Sequence, residues 1–272
     1  MSVSVILPTK SSGKTLARTL ASLLNQGLKP LEVVVVDSYS GDETLSIARK
    51  YGARVILHKG GRASARNKAI LEAKGRYVLL LDADQAVDGD LLNECVNLCE
   101  VQGVDAVKIV ERFIGDGFWS ACSAYWREHV QRVEGVGGNI PRFYRRSILL
   151  KAGLFNDSLS LWEDYELYLR VKSLGAKEAW CGSNVKILHV EPSLAGMIVR
   201  SYRYGESAPS SIARLGGYVL KDKVRVTLRA LRSALSGTTP LLALGVVLTL
   251  TLKGIAYLVG LLASALRGRS SF

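Results

Sequence analysis

Leu79-Leu80-Leu81-Asp82-Ala83-Asp84-Gln85 is the stretch on which the fold turns. With Tyr77 and Val78 before them, the leucines form an apolar run that has no polar face, which predicts a strand buried on both sides. The run delivers two carboxylates, Asp82 and Asp84, at its carboxyl end. Upstream the pattern repeats. Residues 3–7 predict a strand closed by Pro8, residues 31–36 a strand that runs into Asp37, and residues 54–57 a third. Helical spacing separates these runs. Leu16, Leu20, Leu23 and Leu24 share a face between a Ser12 cap and Gly27, and helices are expected at 42–51 and 63–73, the latter stopping before Gly75. Apolar strands alternating with helices over short links predict an α/β fold, a mostly parallel sheet covered on both faces. Such sheets bind ligands beyond the carboxyl ends of their strands, so Pro8-Thr9, Asp37 and Asp82 are expected to line one crevice.

Past Asp84 the pattern loosens. Helices are expected at 91–101 and 119–132, a strand at 106–110, and a loop at 135–138. A helix at 161–174 carries Glu163-Asp164 near its start, and a strand at 185–190 ends near His189. Residues 194–236 are basic and amphipathic. Leu220, Val224, Leu228, Leu231 and Leu235 recur at helical spacing, with Lys221, Lys223, Arg225, Arg229 and Arg232 between them. This suits a helix in a membrane interface, the other reading being a surface helix of a soluble domain. Residues 240–266 carry a single charge, Lys253. A span needs roughly 20 apolar residues, so one tilted helix or two short helices broken at Lys253-Gly254 would both serve. Three domains follow: 1–192, an α/β domain; 193–236, basic amphipathic interfacial helices; and 237–272, a transmembrane or re-entrant segment.

The charge distribution agrees with that division. The 272 residues carry a formal net charge of +12. Residues 193–272 hold 11 basic and 2 acidic side chains, leaving +3 for the first 192. A basic appendage on a near-neutral domain points to an acidic membrane surface or a nucleic acid, and the apolar run favours the membrane, with no nucleic-acid partner. Cys95, Cys99, Cys122 and Cys181 have neither zinc spacing nor a disulfide framework's density, so buried thiols are expected. Residues 3–7 are too short for a secretory leader, which leaves the N-terminal domain expected on the cytoplasmic face of the cell membrane.

Asp82 and Asp84 at a strand end are hard oxygen ligands suited to a divalent cation that bridges to a diphosphate. Asp37 is placed to accept hydrogen bonds from a base or ribose. Asp42 reads first as a helix cap. Gly60-Gly61-Arg62-Ala63-Ser64-Ala65-Arg66-Asn67 opens the helix before the acidic stretch, so Arg62 or Arg66 is expected near the nucleotide and Asn67 is expected to fix the loop.

The order Pro8-Thr9, Val36-Asp37-Ser38, Ala65-Arg66-Asn67, Asp82-Ala83-Asp84 and Trp162-Glu163-Asp164 resembles the family 2 glycosyltransferases with the GT-A fold over roughly residues 3–190. The resemblance implies an inverting, nucleotide-sugar-dependent hexosyltransferase that uses Mn²⁺ or Mg²⁺. It implies Asp37 and Asp82 at the nucleoside, Asp84 at the metal with Asp82 beside it, and Asp164, with Glu163, as the base at the acceptor. His189 is either a third metal ligand or a structural histidine. Arg200-Ser201-Tyr202-Arg203-Tyr204 is similar to the Gln-x-x-Arg-Trp element of cellulose-synthase-like enzymes, which makes Arg203 a donor-diphosphate clamp. Residues 137–146 resemble the acceptor-side loop, with Arg145 and Arg146 serving an anionic substrate or only the surface. Lys10-Ser11-Ser12 departs from the acidic residue the family often has after its first strand.

With a membrane segment attached, the chain resembles the polyprenyl- and dolichyl-phosphate mannosyltransferases. The expected reaction moves a hexose, mannose from GDP-mannose before any UDP-sugar, to a polyprenyl (dolichyl) phosphate or a lipid-linked glycan. The alternatives are a processive polysaccharide synthase and, from another class, a non-catalytic basic protein that binds membrane or nucleic acid.

Overall fold

A computed structural model describes residues 2–133, 135, 140–182, 184 and 186–269. The expected loop at 135–138, the start of the stretch 137–146 and Val185 therefore lie, wholly or in part, outside the described residues. The chain forms two compact units. Unit 1 is Met1–Glu111, Ile140–Ser158 and Glu166–His189; unit 2 is Arg112–Asn139, Leu159–Tyr165 and Val190–Phe272. Two internal segments thus belong with the C-terminal helices, an exchange that reading the chain linearly does not reveal.

The elements in order are β1 (Val3–Thr9), α1 (Gly13–Leu24), β2 (Glu32–Asp37), α2 (Thr44–Lys50), β3 (Arg54–Leu57), α3 (Arg62–Glu72), β4 (Tyr77–Leu80), β5 (Gln85–Asp88), α4 (Leu91–Val101), β6 (Ala106–Lys108) and β7 (Glu111–Ile114). There follow α5 (Phe118–Val130), β8 (Phe143–Arg145), α6 (Arg146–Lys151), α7 (Glu163–Ser173), β9 (Glu178–Trp180), β10 (Lys186–Val190), α8 (Leu194–Leu215), α9 (Tyr218–Leu235) and α10 (Pro240–Arg269).

The main sheet runs β3-β2-β1-β4-β8-β6-β9. β1, β2, β3 and β4 are parallel, and β8 is antiparallel to both β4 and β6. Alternation along the strands divides the core. Val5, Leu7, Val35 and Leu79 pack with Leu16, Leu20 and Leu23 of α1 and with α4, while Ile6, Val34, Val36 and Val78 pack with Ala65, Ala69 and Ile70 of α3. Each fully buried leucine contributes about 1.5–3 kcal/mol of burial, so the apolar runs fix both faces. β1 extends past Pro8 to Thr9. Pro8 is tolerated because its register falls beyond the last β4 pair, Ile6↔Leu80, where the missing N–H costs no bond to that strand. The small sheet β5-β10-β7 sets His189 opposite Gln85 in antiparallel register.

In unit 2 a separate core joins Cys122, Trp126 and Val130 of α5, Val226, Ala230 and Ala234 of α9, and Val246 of α10. The inward face of α9 is therefore small and β-branched. Leu220, Val224, Leu228 and Leu235, four of the five apolar residues that suggested an amphipathic helix, are exposed. α10 is one uninterrupted helix, with no break at Lys253-Gly254, and is the one described helix long and apolar enough to cross a membrane. It packs against α8 backbone to backbone. A Cβ on Gly205 would strike the Tyr257 carbonyl, and one on Gly260 the Tyr202 carbonyl. Leu241, Leu244, Leu252, Ile255, Leu258 and Leu262 of α10 are exposed.

Candidate active site

The candidate site in unit 1 forms where the parallel strands end. Thr9 and Asp37 are in register on β1 and β2 and both are buried. The Asp37 carboxylate accepts the Thr9 hydroxyl at 2.7 Å, the Ser40 N–H at 2.7 Å and the Ser40 hydroxyl at 2.6 Å. It therefore rigidifies the turn after β2 whatever else it contacts. Pro8 is half-buried beside this pair. Asp42 accepts the Thr44 N–H at 3.1 Å and the Gly13 N–H at 3.0 Å, tying the starts of α1 and α2 together. Asp42 thus braces the turn before α2, while the N-cap position itself falls one residue later, on Glu43.

The acidic turn is held by groups whose part in it the sequence does not announce. Arg18 donates to the Asp84 carbonyl at 2.6 Å and Thr19 to the Ala83 carbonyl at 3.0 Å. The Gln85 side-chain oxygen accepts the Asp82 N–H at 2.9 Å. The one available signal was polar Thr19 inside the otherwise leucine face of α1. Arg66 was expected at the nucleotide itself; it is instead 1% exposed, with Nη2 2.7 Å from Asp82 Oδ1 and its guanidinium over the Phe155 ring. Arg62, one turn earlier, is the exposed arginine of this helix. Burial alone pushes the Asp82 carboxyl up, but Arg66, then Arg62, Arg142 and His189, outweigh it and hold it well below the usual carboxylate range. Asp82 is thus a fixed anion with no proton to give near neutral pH. Asn67 exchanges two hydrogen bonds of 2.8 Å with the Phe155 backbone, fixing the loop as expected. Arg146 donates to the Ile70 carbonyl at 2.7 Å and Arg145 to the Val104 carbonyl at 3.0 Å, so both serve the scaffold.

Asp84 differs from its neighbour. Its side chain is 42% exposed and faces His189, with Oδ2 3.6 Å from Nε2. The other ring nitrogen of His189 lies 3.4 Å from Gln85 Nε2 and 3.9 Å from Glu111 Oε2. Because the Gln85 oxygen is committed to the Asp82 N–H, its amide can only donate to Nδ1. That donation puts the imidazole proton on Nε2, toward Asp84. The other tautomer, with Nδ1–H turned to Glu111, gives up the Gln85 contact, leaves the Nε2 lone pair facing Asp84 and is the form in which an imidazole binds a metal, so a cation here would have to displace the Nε2 proton. A carboxylate beside an oriented imidazole is a donor pair that fits Mn²⁺ or Mg²⁺. Asp82 is turned to Arg66. Among the described residues no three His, Cys, Asp or Glu side chains converge closely enough to hold an ion, so further ligands would have to come from substrate and water. Glu111, which also pairs with Arg142 at 3.0 Å, was not anticipated; it begins a four-residue strand with no periodic signal.

Unit 2 carries the remaining candidates. Glu163 is buried and Asp164 half-buried at the start of α7, where Trp162 takes a left-handed φ of 63°. A bulky residue in that conformation costs of order 1–3 kcal/mol and ends the helix two residues later than expected at its N-terminal side. Asp164 Oδ1 accepts the Tyr165 N–H at 2.8 Å. Arg203 is exposed on α8. Arg200, not Arg203, is the member of its motif that meets a carboxylate, Glu191, at 3.6 Å. All four cysteines are buried free thiols.

The sequence profile of Glycosyl transferase family 2 matches residues 4–155. The chain is 29% identical over 167 residues to the Staphylococcus aureus poly(ribitol-phosphate) beta-N-acetylglucosaminyltransferase TarP, a match covering 58% of this chain and 45% of that one. It is 27% identical over 231 residues to the Escherichia coli chondroitin synthase, covering 79% of this chain and 33% of the synthase. The chain thus spans less than half the length of these curated relatives. Its fold is that of the mannosyltransferase PcManGT from Pyrobaculum calidifontis, solved in complex with GDP-Man and Mn²⁺. The TM-score is 0.60 at 23% identity, over 96% of this chain and 86% of that one.

Proposed function

From the premise that this chain belongs to glycosyl transferase family 2, we propose that it transfers a hexose, mannose from GDP-mannose in the first instance, to a polyprenyl (dolichyl) phosphate or a lipid-linked glycan at a membrane. The observation that carries the reading is one chain holding both an acidic strand-end site and long apolar helix faces turned outward on α9 and α10.

In this reading Asp37 and Asp82 orient the nucleoside, and Arg62 meets its phosphates. Asp84 and His189 hold Mn²⁺ or Mg²⁺, which when bound supplies Lewis acidity to the leaving diphosphate. The acceptor oxygen attacks the anomeric carbon from the face opposite the diphosphate, the bond to the diphosphate oxygen breaks, and the configuration inverts. Asp164 takes the proton from a hydroxyl acceptor. A phosphate acceptor is already a nucleophile and makes Asp164 dispensable as a base. Arg203 is assigned to the donor diphosphate. The catalytic domain is assigned to the cytoplasmic face.

The chondroitin synthase match, which covers most of the chain, favours a second reading in which a glycan hydroxyl is the acceptor. Purified protein with Mn²⁺, a panel of nucleotide sugars, and either a polyprenyl phosphate or an oligosaccharide separates the two by nucleoside diphosphate release. Release stimulated by the lipid phosphate supports the first. Release stimulated only by the oligosaccharide supports the second, and release from no donor under any acceptor contradicts both.

A further inference from the structure

Four helices of unit 2 each bring a cation into one neighbourhood, and two of these cations meet a buried carboxylate. Glu191 is fully buried; it accepts the Ser123 hydroxyl at 2.6 Å and Arg127 of α5 at 2.7 Å, with Arg200 of α8 at 3.6 Å. Lys223 of α9 is within electrostatic reach of Arg127, Asp164 and Asp222, and Lys253 of α10 within reach of Glu191, Arg200, Arg127 and Lys223. Asp222 is engaged by Arg225 at 2.9 Å and by the Tyr165 hydroxyl at 3.3 Å. Glu191 is shared by two arginines. Among the described residues neither lysine ammonium has an ion-pair partner within 4.0 Å. Both lysines are half-buried.

A half-buried cation is less well solvated than one in open water, and cations brought together repel one another. The fold nonetheless brings them together from four separate stretches of sequence. Burial, then Arg127, pushes the Lys223 ammonium below the usual lysine range, with Asp164 and Asp222 pulling the other way. With Arg225 on Asp222, the neighbourhood holds five cations, Arg127, Arg200, Lys223, Arg225 and Lys253, against three carboxylates, Asp164, Glu191 and Asp222. A dianionic phosphate would offset this excess and collect charge-assisted hydrogen bonds from both arginine forks and both ammonium groups. The helices that carry the lysines inward carry exposed leucines outward, Leu220 and Leu228 on α9 and Leu252 and Ile255 on α10. A molecule with a phosphate head and an apolar tail satisfies both faces.

We propose that Arg127, Arg200, Lys223 and Lys253 form a phosphate-binding site in unit 2 that takes the head group of the lipid-linked acceptor. The inference rests on the lipid acceptor of the proposed function, but the two can fail separately.

The test uses the full chain in detergent, without nucleotide or metal. Affinity is measured for a polyprenyl phosphate, the unphosphorylated polyprenol of the same length, and inorganic phosphate, in wild type, K223M, K253M and the double variant. Tight binding of the polyprenyl phosphate and at least tenfold weaker binding of the polyprenol are expected, with about a tenfold loss for each lysine replaced. Methionine keeps the stem and removes the charge, so the ligand-free variants should melt at or above the wild-type temperature; that readout separates lost binding from lost folding. Inorganic phosphate binding as tightly as the lipid, and weakened by the same substitutions, keeps the site and makes free phosphate its occupant. Equal affinity of folded double variant and wild type for both phosphate ligands overturns the proposal, as does equal binding of polyprenol and its phosphate. D84A is expected to lose metal–nucleotide binding while binding the lipid phosphate normally, so a failed donor site leaves this result readable.

Discussion

Asp82 in unit 1 and Glu191 in unit 2 are both acids held below the usual range by arginines, yet their surroundings differ. Arg66 is spent on Asp82 and stacked on Phe155, so the charge of that pair is settled inside the protein. Around Glu191 the cations outnumber the acid, and Lys223 and Lys253 remain without ion-pair partners among the described residues. A closed pair secures a scaffold. An unbalanced cluster is stable at its best only when something else brings the missing charge. The same contrast recurs within three residues of unit 1, where Asp82 is locked and Asp84 is half open to solvent and faces an oriented histidine.

The sharpest way to break the comparison is to remove one member of the closed pair. R66M leaves Asp82 beside an apolar side chain and should cost about 3–5 kcal/mol in denaturant unfolding, the scale of a buried pair broken on one side; a loss under about 1 kcal/mol would mean that Asp82 relaxes into water. D84A should leave unfolding within about 0.5 kcal/mol of wild type. Its turnover should fall by about a hundredfold or more, the scale of losing a group that stabilises developing charge. The ordering of these two substitutions should therefore reverse between a stability assay and an activity assay.

Acid sharpens the comparison further. Asp82 and Glu191 both have folded pKa values below their unfolded ones. Their stabilisation is full above the unfolded carboxyl pKa of about 4 and is lost as pH falls through the folded values. For Glu191, burial pushes the carboxyl up, and Arg127, Ser123 and Arg200 more than offset it. Below about pH 4 wild-type stability should decline steeply, and D82N should decline less steeply, which thermal unfolding across pH would show. The smallest effect belongs to the surface. R76A removes an exposed pair with Glu100 and should change unfolding by less than about 1 kcal/mol.

What the sequence made legible follows from how local its signals are. β1, β2, β3 and β4 end within two residues of their expected positions, because a strand buried on both faces is a continuous apolar run. The carboxylates at those ends were readable for the same reason. β8 and β9 were not, since three residues carry no period. Glu111 and Arg142 were missed because they meet across 31 positions of sequence, and Arg18 because it acts on a backbone carbonyl 66 residues away. The two readings of residues 240–266 stayed open on the single charge of Lys253. The helix runs through it unbroken, because neither a lysine nor the glycine after it ends a helix whose other residues are mostly apolar and helix-forming. α9 taught a different lesson. Its leucines gave the helix away, but they line the outside, and the packed face is Val219, Val226, Ala230 and Ala234.

The central claim is that Asp84 and His189 hold the divalent cation of a nucleotide-sugar site. Electron paramagnetic resonance of Mn²⁺ titrated into the protein with saturating GDP or UDP tests it without needing the acceptor. The account predicts a bound Mn²⁺ signal that depends on nucleotide, is lost in D84A, is weakened in H189A about 10- to 100-fold, and persists in D164N. Nucleotide-dependent Mn²⁺ bound equally well by wild type and a folded D84A would contradict it.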